Sequence, residues 1–246
     1  VQDFTVTREE LTMMPPYCTA IQGRAVGLPQ PEDSPLRGTI PADCPALHHY
    51  CDGLKAMVRV DLNQKESKYW LSVAVQTFQN QVLDWEHRGL SCSLRPELYT
   101  NLGSSLFRQN KASAGLAVMN FNKTLELRKD FFPAYYGLSD VYLYLGKRKE
   151  ALGVVEEGLK YVRNSKGLLR RFKELGGKTP PPPIAKPNPQ QPTAAAGPGP
   201  EPSTSPSTTP NNKAAGEGAV AAPAAVEPEA PKIGSPTNPY CRFCPD

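Results

Sequence analysis

The spacing of hydrophobic positions changes twice along the chain and divides it into three parts. Residues 1–45 hold scattered apolar positions broken by prolines, and this pattern predicts one short helix near residues 8–14. From residue 46 to residue 178 apolar residues recur at helical spacing, whereas Pro, Ala, Ser and Thr replace them from residue 179 onward. The sequence therefore predicts an all-α domain at residues 46–178, between a Pro-containing N-terminal segment (1–45) and an irregular C-terminal tail (179–246).

The first two helical stretches have separate apolar faces and predict a helical hairpin. The defining residues are Leu47, Cys51, Leu54 and Val58 in the first helix, and Trp70, Ala74, Phe78 and Val82 in the second. The pattern of this hairpin is weaker than that of the segments after it. A long connection is predicted between its helices, near residues 63–65.

Two later segments match one template of a helix, a turn and a second helix. One reads Tyr99-x2-Leu102-Gly103-x2-Leu106 and then Ala117-x3-Phe121, and the other reads Tyr135-x2-Leu138-Ser139-x2-Tyr142 and then Ala151-x3-Val155. The two alanines are 34 residues apart, but the two tyrosines are 36 apart. The difference predicts an expanded turn near residues 110–114, and Gly146 predicts a sharp turn in the later unit.

This template resembles the tetratricopeptide repeat, which places a helical hairpin in each unit of about 34 residues. The resemblance covers residues 46–175 and implies an α-solenoid of stacked hairpins. Small residues such as Gly103 and Ala151 would then allow helices to cross closely. Residues 165–175 resemble the solvating helix that caps such arrays, and the basic residues from Lys166 to Lys173 are interpreted as its solvent-facing side.

The motifs Pro-Pro-Tyr-Cys (15–18) and His-His-Tyr-Cys-x-Gly-Leu (48–54) are also similar to a group of exported bacterial proteins. Members of that group combine cysteines with a few tetratricopeptide repeats. This similarity implies export and a fold, and it implies no particular activity.

The repeat resemblance implies a concave surface made mainly from the first helix of each unit. An aromatic groove of this kind suits extended or polyproline-type peptides, because their backbone is already stiff and their prolines stack on aromatic rings. The alternative is that these aromatic residues simply pack against a neighbouring helix. Carried over by position, the groove residues are Thr100, Ser104, Phe107, Arg108, Tyr136, Asp140, Leu143 and Tyr144.

Six cysteines in polar or Pro-flanked sequence favour disulfides and an oxidising compartment, with 15 possible connectivities. They are Cys18, Cys44, Cys51, Cys92, Cys241 and Cys244. His48 and His49 beside Cys51 are of metal-ligand type, but adjacent helical residues point about 100° apart, which favours disulfides over a metal site. Cys241 and Cys244 have redox-motif spacing in a Pro-bounded tail, without the helix start that lowers a thiol pKa.

The tail holds 18 of the 27 prolines and resembles an O-glycosylated stalk. Its terminal cysteine pair is able to reach a body cysteine of a neighbouring molecule, and contacts of that kind that do not close into a ring generate filaments. The alternatives are a local bridge within the pair and closure on the same molecule. The candidate glycosylation sites are Ser203, Thr204, Ser205, Ser207, Thr208 and Thr209.

Composition and motifs narrow the class of function. The formal net charge of +4 comes without a basic stripe interleaved with aromatics, so we expect no nucleic-acid partner. We expect no membrane span, catalytic residue, cofactor, metal or small-molecule substrate, because no sequence pattern for any of them is present. The start at Val1 is interpreted as a removed signal peptide, and we expect a periplasmic or extracellular location.

The sequence thus predicts a secreted, non-enzymatic protein-interaction protein. The leading hypothesis is a self-associating extracellular or envelope subunit that forms filaments, whose tail docks on or disulfide-links to a neighbour. The alternative is a monomeric periplasmic adaptor whose groove binds a different protein.

Overall fold

The structure is a computed structural model that describes residues 5–29, 31–178, 181 and 183. Regular structure in these residues is helical, without strands, which confirms the all-α class. The helices are α1 (Arg8–Thr12), α2 (Pro16–Gln22), α3 (Leu47–Leu62), α4 (Ser67–His87), α5 (Arg95–Gln109), α6 (Ala114–Leu127), α7 (Phe132–Tyr144), α8 (Arg148–Tyr161) and α9 (Lys166–Glu174). Predictions for the tail beyond residue 183, including both of its cysteines and its glycosylation sites, lie outside the described residues. None of the described helices is long and apolar enough to span a membrane.

Three helical hairpins follow one another along the chain: α3 with α4, α5 with α6, and α7 with α8. The second helix of each hairpin also packs against the first helix of the next, so the apolar core runs from one hairpin to another. Close contacts inside the stack depend on glycines that face aromatic rings, because a Cβ atom at these positions would lie 2.4–2.8 Å from a ring atom. The pairs are Gly53 with Phe78, Gly137 with Phe121, and Gly158 with Tyr135.

The turns follow the sequence pattern at two positions and depart from it at one. The expanded turn after α5 is a 3-10 turn at Lys111–Ser113, begun by Asn110, whose side chain accepts a hydrogen bond from the Ala112 N–H at 2.9 Å. Gly146 has a φ of 72°, as a sharp turn after α7 requires. The predicted long connection before α4 is wrong, since the 3-10 turn Gln64–Glu66 joins α3 to α4 directly.

The N-terminal segment contains more structure than its pattern predicts. Beside α1 it forms α2 and two 3-10 turns, Gly23–Val26 and Arg37–Thr39. Pro16 begins α2, because the first helical position needs no N–H donor and suits the fixed φ of proline. Tyr17 and Cys18 on α2 are buried in the same core as α3, α4 and α5. The prediction of a single short helix was therefore wrong, and this segment is part of the helical domain.

A buried ion pair connects α1 to α3. The Arg59 Nε donates to Glu10 Oε1 at 2.5 Å, and the guanidinium lies 4.5 Å from the centroid of the Trp70 ring. Burial raises the pKa of Glu10, but hydrogen bonds from Arg59 and from Thr7 outweigh burial and leave this pKa below its ordinary value. Glu10 is therefore charged in the folded protein, and it is paired as a buried charge must be.

Two disulfides join the N-terminal segment and the first hairpin. Cys18 on α2 bonds to Cys51 on α3, and Cys44 before α3 bonds to Cys92 between α4 and α5. Cys51 is therefore not available as a metal ligand. Two disulfides in one domain indicate that the chain folds in an oxidising, non-cytoplasmic compartment.

Removing the first disulfide by Cys18→Ala/Cys51→Ala is expected to lower the free energy of unfolding by about 3 kcal/mol, because the bond closes a long loop in the unfolded chain. Urea titration followed by circular dichroism measures the change. The control Cys241→Ala/Cys244→Ala is expected to leave the urea midpoint of the helical domain unchanged. An unchanged midpoint in the first variant would contradict this pairing.

Two glycines of α8 provide a test of the packing with its own control. Gly158→Ala is expected to destabilise the protein by about 1–3 kcal/mol, since its Cβ would lie 2.8 Å from Cγ of Tyr135. Gly153→Ala, with no atom within 4 Å of its Cβ, is expected to stabilise the helix by about 0.5–1 kcal/mol. Thermal unfolding of both variants measures the difference, and equal shifts would contradict the packing of α7 on α8.

Candidate protein-interaction surface

The eight residues predicted to line a groove lie on α5 and α7, and their surroundings differ. Phe107, Arg108 and Tyr144 are at the C-terminal ends of these helices. Tyr136 and Asp140 contact Arg171 of α9, and Thr100 is buried inside the second hairpin. Tyr144 is the exposed aromatic residue of this set.

An aromatic pair is the most open part of this surface. The rings of Phe107 and Tyr144 meet edge to face with their centroids 5.4 Å apart, and Tyr144 is 55% exposed. Lys111 Nζ lies 3.4 Å from the Phe107 centroid and 5.5 Å from the Tyr144 centroid. We call Phe107, Lys111 and Tyr144 the aromatic platform.

Polar side chains also join α5 to α3 of the first hairpin. Arg108, next to Phe107 in sequence, donates to the Asp61 carboxylate at 2.6 Å, and both side chains are partly exposed. Farther along, Asn101 donates to the Tyr50 hydroxyl at 2.8 Å. Burial raises the pKa of Tyr50 well above its ordinary value, so this hydroxyl is neutral and accepts the bond. The first helices α3 and α5 are thus joined by the partly exposed Arg108–Asp61 pair and by the contact of Asn101 with the buried Tyr50.

Two predicted groove residues on α7, Tyr136 and Asp140, contact α9. Arg171 donates to the Asp140 carboxylate at 2.5 Å, and its guanidinium lies 4.3 Å from the Tyr136 ring centroid. Burial lowers the pKa of Arg171, but the hydrogen bonds and charges of Asp140 and Tyr136 together outweigh burial, and the pKa is raised. The interpretation of Arg171 as a solvent-facing residue was wrong, because it is paired with a carboxylate and stacked on a ring. Leu143 is half-buried against the core that α9 closes.

Thr100 does not face a groove. It is 6% exposed, and its hydroxyl lies 3.0 Å from the hydroxyl of Thr124 on α6. The Thr124 hydroxyl in turn donates to the Pro96 carbonyl at 3.0 Å. The hydroxyl pair lies between α5 and α6, and each hydroxyl has a hydrogen-bond partner there. The prediction that Thr100 lines a groove was therefore wrong. Ser104 is half-buried on α5.

Three residues of this surface were missed from the sequence: Lys111, Asp61 and, as a buried contact, Arg171. Lys111 lies in the expanded turn after α5, and the difference between the tyrosine and alanine spacings is the signal that could have drawn attention to it. Asp61 and Arg171 gave no such signal, because a charged residue at the edge of an apolar stripe is usually solvated.

The chain matches no protein-family model. It also matches no curated protein and no solved structure. Its function is therefore inferred from the chemistry of the surface described above.

The contact of α9 with α7 is tested by two adjacent arginines. Arg171→Ala is expected to destabilise the protein by about 2 kcal/mol, because the Arg171 side chain is only 11% exposed and bridges α9 to α7. Arg170→Ala is expected to change stability by less than about 0.5 kcal/mol, since its side chain is 70% exposed. Urea unfolding of both variants measures this, and equal losses would contradict the assignment of Arg171 to the interior.

Proposed function

We propose that this chain is a non-enzymatic protein-interaction subunit built on tetratricopeptide-like hairpins. Two observations support the proposal: three consecutive hairpins that share one packing pattern, and an aromatic platform on the ends of α5 and α7. Its exposed ring and adjacent cation offer stacking and hydrogen bonding to a peptide, and neither group is arranged to activate a nucleophile. The open Tyr144 ring is the observation on which the proposal depends most.

The subunit associates with copies of itself outside the cytoplasm, in the cell envelope or the extracellular space. The disulfides support an oxidising compartment. The chain also supplies both halves of a contact, since its proline-rich tail is of the peptide class that an aromatic platform binds. Because the platform and the tail are different surfaces, each copy binds one neighbour through its platform and another neighbour through its tail. Such heterologous contacts extend into filaments. Cysteines at the end of the tail allow these contacts to be locked by disulfides.

Self-association is tested by analytical ultracentrifugation of the full chain over a range of concentrations, with electron microscopy of the same samples. We expect species larger than a monomer that grow with concentration, and elongated particles or filaments in the images. We expect reductant to remove the larger disulfide-crosslinked species seen on a gel. We expect the same loss for the variant Cys241→Ser/Cys244→Ser. A chain that stays monomeric at every concentration and instead binds a different protein would contradict this proposal and favour the periplasmic adaptor.

A further inference from the structure

Prolines recur at nearly every third position at the start of the tail, which is the period of a polyproline II helix. A polyproline II helix has three residues per turn and a rise of about 3.1 Å, so every third residue lies on the same face. From residue 180 to residue 192 one face carries four prolines and one lysine, and the other two faces are mixed. The residues of this face, which we call the proline ridge, are Pro180, Pro183, Lys186, Pro189 and Pro192.

We propose that the aromatic platform of one copy binds the proline ridge of a second copy. This inference rests on the proposed self-association and names its two surfaces. Successive residues of the ridge are about 9 Å apart in this geometry, so one proline at a time fits the ring pair, whose centroids are 5.4 Å apart. The exposed face of Tyr144 receives the proline ring, and Phe107 supports Tyr144 from the side.

Charge on the platform side is compatible with this occupant. Lys111, whose ammonium lies over the Phe107 ring, is also a hydrogen-bond donor for peptide carbonyls, which a polyproline II segment leaves unpaired. Asp61, whose side chain is 65% exposed and which is bound to Arg108, the residue after Phe107, offers a carboxylate to Lys186 of the ridge. The ridge thus presents apolar rings to the aromatic pair and one cation to a neighbouring anion.

The path of the chain after α9 favours a second copy over the same copy. The helix ends at a cap in which the Gly177 N–H donates to the Phe172 carbonyl at 2.8 Å, and the ridge starts three residues later. Pro181 is half-buried, and Pro183 is exposed. The four consecutive prolines at positions 180–183 favour a stiff, extended backbone over a reversal within a few residues. We therefore expect the ridge to contact another molecule.

The experiment uses full chains with Cys241→Ser/Cys244→Ser, so that only non-covalent association is measured. The platform variant is Phe107→Ala/Tyr144→Ala, and the ridge variant is Pro183→Ala/Pro189→Ala/Pro192→Ala. The matched control removes three prolines that lie off the ridge, Pro181→Ala/Pro182→Ala/Pro187→Ala. Tyr144→Ala alone serves as a second platform variant that is expected to fold, because Tyr144 is exposed, and circular dichroism checks the helical content of each protein.

We expect the platform and ridge variants each to weaken self-association by about tenfold or more, and the off-ridge control by less than about threefold. Mixed together, the platform variant and the ridge variant are expected to form a one-to-one complex, since one supplies an intact ridge and the other an intact platform. Sedimentation velocity of the separate proteins and of the mixture measures all of these species.

Three outcomes would overturn the inference. If the unsubstituted chain associates and the variants associate equally well, the ridge contact is wrong while self-association stands. If ridge and off-ridge variants lose the same affinity, or the mixture forms no complex, the face-specific contact between two copies is wrong. If the unsubstituted chain is monomeric at every concentration, the inference and the proposed self-association both fail.

Discussion

A stack of helical hairpins buries apolar surface between neighbours and leaves an apolar face at each end, and these ends must be covered for the stack to exist in water. In this protein both ends are closed by a short helix and a buried arginine. Arg59 pairs with Glu10 of α1 and lies over Trp70, while Arg171 of α9 pairs with Asp140 and lies over Tyr136. Each contact has three parts: an arginine, a carboxylate and an aromatic ring. The arginine belongs to the hairpin at one end and to the closing helix at the other, and in both cases the contact holds the closing helix in place.

The caps decide which surface is left for binding. Because α9 takes the Tyr136 and Asp140 side of α7, the predicted groove is reduced to the ends of α5 and α7, where Phe107 and Tyr144 meet. At the other end, the Cys18–Cys51 disulfide fixes α2 on α3. A domain closed at both ends does not polymerise by stacking hairpin on hairpin, so extension into a larger assembly has to use a different segment. The proline-rich tail is such a segment.

Apolar periodicity was sufficient to predict the hairpins, since Trp70, Phe121 and Val155 fall where helical spacing puts them, and residue counts predicted the extra turn after α5. Pairwise contacts were not predictable in this way. The two disulfides depend on where α2 lies, and α2 was missed because Pro15 and Pro16 were interpreted as breaking structure when Pro16 in fact begins a helix. The burial of Arg171 and Thr100 depends on partners far away in sequence, Asp140 and Thr124, so the local pattern carries no sign of it.

The most direct test of the account is to record which chain touches Tyr144. A photo-crosslinking amino acid at position 144, in a mixture of isotopically light and heavy full chains, reports contacts within and between copies after mass spectrometry. The account predicts crosslinks between light and heavy chains that map to residues 179–192. Crosslinks confined to one chain, or crosslinks that avoid this segment in an associating sample, would contradict it.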